Sequence, residues 1–132
     1  MKRQLISSGS PWELVVGYSR AVRAGAMVTV AGTSPQWPDG SVDPDVEVQA
    51  RRCIEIIEVA LAEAGASLAD IVRTRIFLVD VTDFDGVKRV HGEVFADIRP
   101  ACTAVVVAGL LDPRWKVEIE ADAILDEDNA PL

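Results

Sequence analysis

The sequence predicts a mixed α+β fold whose strands and helices follow in the order β-β-α-β-α-β-β. Three observations support this prediction. Apolar residues recur at spacings of three and four between residues 46 and 64, which is typical of an amphipathic helix. Runs rich in β-branched residues lie on both sides of that segment. Residues 117–123 alternate between apolar and acidic side chains, as in a half-buried strand. We therefore expect one mixed sheet with two helices on one face.

A hairpin is predicted at the start of the chain. Residues 17–22 and 26–32 form its two strands, and Ala24-Gly25 supplies the turn. The stretch 33–44 is rich in proline and polar residues, so we expect a loop. The amphipathic helix follows, with Asp43-Pro44 as its cap and first-turn proline and Gly65 as its stop. Those residue types favour the two ends of a helix.

The second half of the chain is predicted to add three strands and one helix. Residues 72–79 form a strand that carries Arg73 and Arg75 on one face. The segment 82–85 resembles a capping box, and it begins a second helix that Pro100 ends. The last two strands are then residues 102–108 and 117–123, separated by a turn at Asp112-Pro113.

The second face of this sheet has no predicted cover. Two helices can cover one face, and the chain has no further helix for the other. The strand at residues 102–108 is apolar on both faces, which is unfavourable in water. We therefore expect a homo-oligomer in which the sheets of neighbouring subunits pack together.

Composition excludes several classes of function. The 132 residues fit a single domain over residues 1–132, and 13 Lys+Arg against 21 Asp+Glu give a net charge of −8. An acidic chain without a basic run is a poor nucleic-acid binder.

No apolar run is long enough to span a bilayer, and Ser7 to Pro11 interrupt the first apolar stretch too early for a signal peptide. Two cysteines do not make a disulfide framework, so we expect a cytoplasmic protein with reduced thiols.

Several stretches together resemble the Rid family (reactive intermediate deaminase, also called YjgF-like or liver perchloric-acid-soluble-protein-like). They are residues 17–22 (GYSRAV), 30–33 (VAGT), 77–84 (FLVDVTDF), and 99–105 (RPACTAV) followed by 117–121 (VEIEA). Their order and spacing match over nearly the whole chain. The resemblance implies a chorismate-mutase-like fold, a homotrimer, and ligand pockets in clefts between subunits.

The resemblance also implies an activity, the hydrolysis of reactive 2-imino acids or their enamine tautomers to 2-keto acids with release of ammonia. In the family, an arginine binds the substrate carboxylate, and that position is Cys102 here. A glutamate that places the attacking water corresponds to Glu118, and a pocket tyrosine to Tyr18. Three other pocket positions differ from the family pattern, namely Ala31, Lys88 and Ala104.

The candidate catalytic residues are therefore Glu118 and Cys102, and the candidate substrate-binding residues are Tyr18, Arg75, Lys88 and Thr103. Cys102 is either a pocket-lining residue or a nucleophile, which would need a nearby base or cation such as His91. Glu118 either lies on a solvated strand face or positions water. Arg75 either pairs across strands or, like Arg20, replaces the missing arginine.

Neither a metal nor a cofactor is expected, because the chain has one histidine and lacks a phosphate-binding or nucleotide-binding motif. Three functions follow from these observations. The first is a hydrolase or deaminase that acts on a small imine, enamine or carbonyl compound in an inter-subunit cleft. The second is a non-catalytic trimer of the same fold that binds or senses a small ligand. The third, an endoribonuclease, is opposed by the net charge of −8.

Overall fold

The structure is a computed structural model that describes residues 2–126. The described part contains six strands, β1 (Arg3–Ile6), β2 (Ala21–Ala24), β3 (Met27–Thr33), β4 (Ile71–Leu78), β5 (Ala101–Val106) and β6 (Val117–Ile124). It also contains the helices α1 (Trp12–Val16), α2 (Val46–Glu63) and α3 (Phe84–Phe95). Short 3₁₀ turns precede β4 and α3. The predicted α+β class is confirmed, with one strand and one short helix more than expected.

The six strands form one mixed sheet in the order β1-β2-β3-β6-β4-β5. β4 and β5 are parallel, and every other neighbouring pair is antiparallel. A parallel pair needs a crossover connection, and α3 supplies it. The last strand in the chain, β6, therefore lies in the middle of the sheet, between the N-terminal hairpin and the β4–β5 pair.

The core lies between this sheet and helices α2 and α3. The alternation predicted for β6 is confirmed, because its odd-numbered residues from Val117 to Ala123 are buried while its acidic residues remain partly exposed. Ile57 and Leu61 of α2 and Val90 of α3 are fully buried against them. Each such side chain contributes roughly 1.5–3 kcal/mol when it leaves water, so this layer is the main source of stability.

The helix α2 begins at a different cap from the one predicted. The side chain of Asp45, not Asp43, accepts hydrogen bonds from the backbone N–H groups of Glu47 (2.8 Å) and Val48 (3.3 Å). Asp43 instead accepts from the N–H of Asp45 and so orders the turn before the helix. The stop at Gly65 is confirmed. Its φ of +83° is the left-handed conformation that commonly follows a helix.

The predicted strand at residues 17–22 begins four residues late, at Ala21. Gly17 adopts φ +86° and ends α1, and the N–H of Tyr18 then donates to the carbonyl of Glu13 (3.0 Å). These bonds keep the backbone in a turn where the sequence pattern alone favours an extended strand. The unpredicted strand β1 is short, and it is ordered by pairing with β2.

The capping box predicted at residues 82–85 is not the one that forms. The side chain of Asp80 accepts from the N–H (2.8 Å) and hydroxyl (2.7 Å) of Thr82, while Asp83 makes no side-chain cap. A 3₁₀ turn from Val81 to Asp83 results, and α3 begins at Phe84. The helix ends at Phe95, before the predicted stop at Pro100.

The second face of the sheet is not covered by any helix among residues 2–126. All six residues of β5 are exposed, although the strand is largely apolar, and β5 lies at the edge of the sheet. The open face also carries charged residues in the middle of the sheet, where Arg75 contacts Glu120 and Asp122. An exposed apolar edge strand is unusual in a monomer, because it offers unpaired backbone groups to other chains.

Candidate functional site

Glu118 lies on the open face of the sheet, close to the backbone of the neighbouring strand β3. A β-carbon placed on Gly32 would be 3.2 Å from Oε2 of Glu118, which is tighter than normal contact. The absence of a side chain at Gly32 therefore leaves the space that the carboxylate occupies. The pairing of β3 with β6 is irregular between Val30 and Thr33, and this irregularity falls at the same place.

Arg20 and Tyr18 lie on the other side of this glycine. Nη2 of Arg20 donates to the carbonyl of Gly32 (2.9 Å), and Cζ of Arg20 lies 5.8 Å from the ring centroid of Tyr18. Tyr18 is 36% exposed, so its ring is at the surface. The turn that ends α1 places both side chains, because it brings the segment after Gly17 against β3. Gly32 of β3 and Arg20 of the segment before β2 thus lie near Glu118, and Tyr18 lies beside Arg20.

The carboxylate of Glu118 is electrostatically perturbed. Burial raises its pKa, the nearby Arg20 guanidinium lowers it, and the like charge of Glu120 raises it, with a net upward shift. Cys53 lies beneath β6 on the helix side and is buried; burial and the charge of Glu118 both raise the pKa of its thiol. Cys53 is therefore a neutral core residue, while Glu118 is a partly buried carboxylate with a raised pKa.

Cys102 lies away from Glu118 within one chain. In β5 it pairs with Thr74, which also pairs with Ala121, whereas Glu118 is level with Phe77 and Val105. Two strand spacings and three residues separate the two positions, which exceeds about 10 Å. Because Thr74 is buried on the helix side, the register also places Cys102 and Glu118 on opposite faces of the sheet. Thr103, level with Arg75, shares the open face.

Arg75 and Lys88, the two candidate cations, both contact acidic groups. Nη1 of Arg75 lies 3.2 Å from a carboxylate oxygen of Glu120 and 3.2 Å from one of Asp122. Nζ of Lys88 lies 3.1 Å from Asp85 in an exposed pair on α3. The contacts of Arg75 correspond to the cross-strand alternative, and the pairing of Lys88 with Asp85 was not anticipated from the sequence. Neither cation is adjacent to Glu118 in the described chain.

His91 is held by Thr74 on the helix side of the sheet. Its Nε2 lies 2.9 Å from the hydroxyl oxygen of Thr74, and its ring stacks at 4.5 Å on Phe95. Burial lowers the pKa of His91, so the ring is neutral at pH 7. Since Thr74 pairs with Cys102, His91 contacts the strand residue that is level with Cys102.

Sequence reasoning missed the contacts between α2 and the loop after β3. Arg52 stacks on Trp37, with its Cζ 4.3 Å from the ring centroid, and its Nε donates to the carbonyl of Gln36 (3.3 Å). Arg52 is next to Cys53, a buried residue of the apolar stripe. This position in the sequence indicates that Arg52 lies at the edge of the core. The sequence identifies Gly32 only as part of a motif, because its close approach to Glu118 depends on strand pairing.

Within residues 2–126, no group of three or more His, Cys, Asp or Glu side chains could hold a metal ion. No helix in the same range is long and apolar enough to cross a membrane. Both cysteines are free thiols, Cys53 buried and Cys102 exposed. The chemistry available at Glu118 is therefore that of a carboxylate near the Arg20 guanidinium and the backbone of Gly32, with the phenol of Tyr18 next to Arg20.

The fold and this site define a small α+β protein with an open sheet face and a partly buried acidic residue on the central strand of that face. Comparison with known proteins gives the family. Residues 11–125 match the model of the family described as Endoribonuclease L-PSP. The chain belongs to this family, which is also known as the YjgF or Rid family.

Three relatives illustrate the range of the family. A crystal structure of Rv2704 from Mycobacterium tuberculosis, a member of the YjgF/YER057c/UK114 family, is 46% identical, with a TM-score of 0.87 over 94% of this chain and 100% of that one. An uncharacterised protein of Streptomyces coelicolor, SCO2049, is 40% identical over 89% of each chain. The 2-iminobutanoate/2-iminopropanoate deaminase of Salmonella typhimurium is 37% identical over 81% of this chain and 86% of its own.

Proposed function

We propose that this protein hydrolyses small reactive imines or enamines to carbonyl compounds with release of ammonia, in clefts between the subunits of a homotrimer. The observation that carries the proposal is the position of Glu118, a carboxylate of raised pKa beside Gly32 and near Arg20, whose guanidinium also lies beside the ring of Tyr18. The relative in Salmonella typhimurium named as an imine deaminase supports the reaction class.

In the proposed reaction, Glu118 takes a proton from a water molecule that attacks the imine carbon. Glu118 passes this proton to the imine nitrogen, which gives a carbinolamine. The hydroxyl proton of the carbinolamine then moves to the nitrogen as the C–N bond breaks, so ammonia leaves and a carbonyl group remains. A carboxylate is a suitable base for this step because its pKa is raised toward the pH at which the reaction runs. Tyr18, at the surface beside Arg20, is positioned to contact the part of the substrate that faces solvent.

The trimer is proposed because the open face and the edge strand β5 need a cover. The exposed strand carries Cys102 and Thr103, which lie far from Glu118 of the same chain. In a closed ring, the β5 edge of one subunit can approach the Glu118 side of the next, so that one cleft contains both groups. Cys102 then forms a wall of the cleft, and its thiol stands where the family resemblance places an arginine.

A direct assay tests the activity. We expect purified protein to accelerate ammonia release from freshly generated 2-iminopropionate, and we expect Glu118→Gln to reduce that rate about 100-fold or more because the base is lost. Glu58→Gln, which changes an exposed carboxylate on α2, is the matched control and should keep the wild-type rate. No acceleration over buffer across several imines would contradict the proposal.

Stability separates a catalytic from a structural role of Glu118. Its pKa is raised in the folded protein, so stability falls as the pH rises from the ordinary glutamate pKa through the raised value, and the loss is complete above that value. The Glu118→Gln variant should therefore melt at the wild-type temperature or above it at pH 7. A large drop in melting temperature would mean that lost activity reflects lost structure.

The second candidate is a non-catalytic trimer that binds a small ligand. The thiol of Cys102 favours it, since a thiol cannot form the paired charged hydrogen bonds with a carboxylate that a guanidinium forms. Saturable ligand binding without imine hydrolysis would support this candidate.

The endoribonuclease function in the family's description is opposed by the net charge of −8, which repels a polyanion. We also propose a cytoplasmic location, which the two free thiols support.

A further inference from the structure

A cavity lies on the helix side of the sheet, and Arg20, which lies near Glu118, also lines this cavity. It has a volume of about 240 Å³ and lies between the end of β1, Arg20 and one side of α2. Arg52 and Glu63 of α2 line it, together with the apolar side chains of Ile56 and Val59. The cavity thus combines two guanidinium groups with an apolar wall.

Arg20 and Arg52 differ from several other arginines of residues 2–126 in the groups to which their guanidinium groups donate hydrogen bonds. Arg51, Arg75, Arg89 and Arg114 all donate to carboxylates at hydrogen-bond distance. Arg20 is held by the carbonyl of Gly32, and Arg52 by the carbonyl of Gln36 and the indole ring of Trp37. The carboxylate contact of Arg52 within the described chain is a long one, 3.6 Å to Glu55.

These two cations are also partly withdrawn from water. The side chain of Arg52 is 17% exposed. Nε of Arg20 is buried and has no hydrogen-bond acceptor among residues 2–126. A buried donor without an acceptor is energetically unfavourable. Two like charges that line one cavity also repel each other. An anion seated between the guanidinium groups would relieve both conditions.

We propose that this cavity binds a small monocarboxylate between Arg20 and Arg52, with its aliphatic part against Ile56 and Val59 of α2. A carboxylate matches the planar fork of a guanidinium, and the volume accommodates an anion of a few carbon atoms. Glu63 at the rim and Glu118 on the far side of Arg20 limit the negative charge that the site accepts. These two carboxylates favour a monoanion over phosphate.

Titration calorimetry with acetate, at constant ionic strength set by sodium chloride, tests the proposal without reference to catalysis. Wild-type protein should bind acetate saturably, and Arg52→Gln should weaken that binding about tenfold or more because a charged hydrogen-bonding group is lost. Arg51→Gln is the matched control. Arg51 precedes Arg52 on α2, but it pairs with Glu93 of α3 and does not line the cavity.

A second variant keeps both charges and fills the space instead. Val59 is 60% exposed on the cavity wall, so Val59→Trp should fold normally and also abolish acetate binding. Binding that is unchanged in both Arg52→Gln and Val59→Trp would place the carboxylate elsewhere and overturn the proposal. An equal loss in Arg51→Gln, or tighter binding of inorganic phosphate than of acetate, would overturn it as well.

Discussion

At the scale of single residues, the pKa of Glu118 depends on two absences: Gly32 has no side chain, and Arg20 forms no ion pair with Glu118. Gly32 has no side chain to displace the carboxylate, and Arg20 approaches without forming an ion pair with it, because no Arg20–carboxylate contact within 4.0 Å exists among residues 2–126. An ion pair at hydrogen-bond distance would hold the pKa of Glu118 low. The carboxylate is instead partly buried and weakly compensated, and its pKa rises.

This arrangement predicts a pH dependence. The proposed base works only when ionised, so the rate of imine hydrolysis should fall as the pH drops through the raised pKa of Glu118, above the usual range for glutamate. Glu120→Gln removes a like charge that raises that pKa, so the acidic limb of the pH–rate profile should move to lower pH. An unchanged profile in Glu120→Gln, or a shift to higher pH, would contradict the assigned electrostatics.

At the scale of elements, long periodic segments could be predicted and short ones could not. The 18 residues of α2 and the alternation of β6 carry enough periodicity to be read from sequence alone. The four-residue β1 and the five-residue α1 are too short for a pattern. β1 exists because β2 pairs with it, which is information that a local pattern does not contain.

The same limit applies to the candidate site. Glu118 and Tyr18 could be named from the resemblance to the family, but the approach of Glu118 to Gly32 depends on β6 pairing with β3, which lies some ninety residues earlier in the chain. The ion pairs of Arg75 with Glu120 and Asp122 depend on the register of β4 against β6. Arg52 and its cavity follow from packing of α2 against the N-terminal segment, which sequence spacing does not reveal.

The cap of α2 gives a quantitative prediction at this scale. Because Asp45 accepts two backbone hydrogen bonds, Asp45→Ala should lower the free energy of unfolding by about 1 kcal/mol. Asp43→Ala should lower it less, since Asp43 bonds a single N–H ahead of the helix. Denaturation in urea at fixed protein concentration measures both changes. An equal or larger loss in Asp43→Ala would contradict the cap assignment.

At the scale of the whole molecule, one face of the sheet is covered by helices and the other face is open. α2 and α3 cover the first, and the core lies between them and the strands. The second face and the exposed strand β5 find no cover among residues 2–126. The acidic surplus discourages polyanions, but it does not prevent contact between sheets that carry their own ion pairs, such as those of Arg75. The proposed site is completed only when β5 of a second subunit joins it.

The most direct test is a mixture of two inactive variants. Glu118→Gln removes the proposed base, and Cys102→Trp fills the cleft from an exposed position on β5. The two subunits are co-expressed with different affinity tags, and trimers that carry both tags are isolated. Every mixed trimer then contains one cleft with an intact Glu118 from one subunit and an intact Cys102 from its neighbour. Imine hydrolysis should return to about a third of the wild-type rate. Mixed assemblies as inactive as either variant alone would contradict a site shared between subunits.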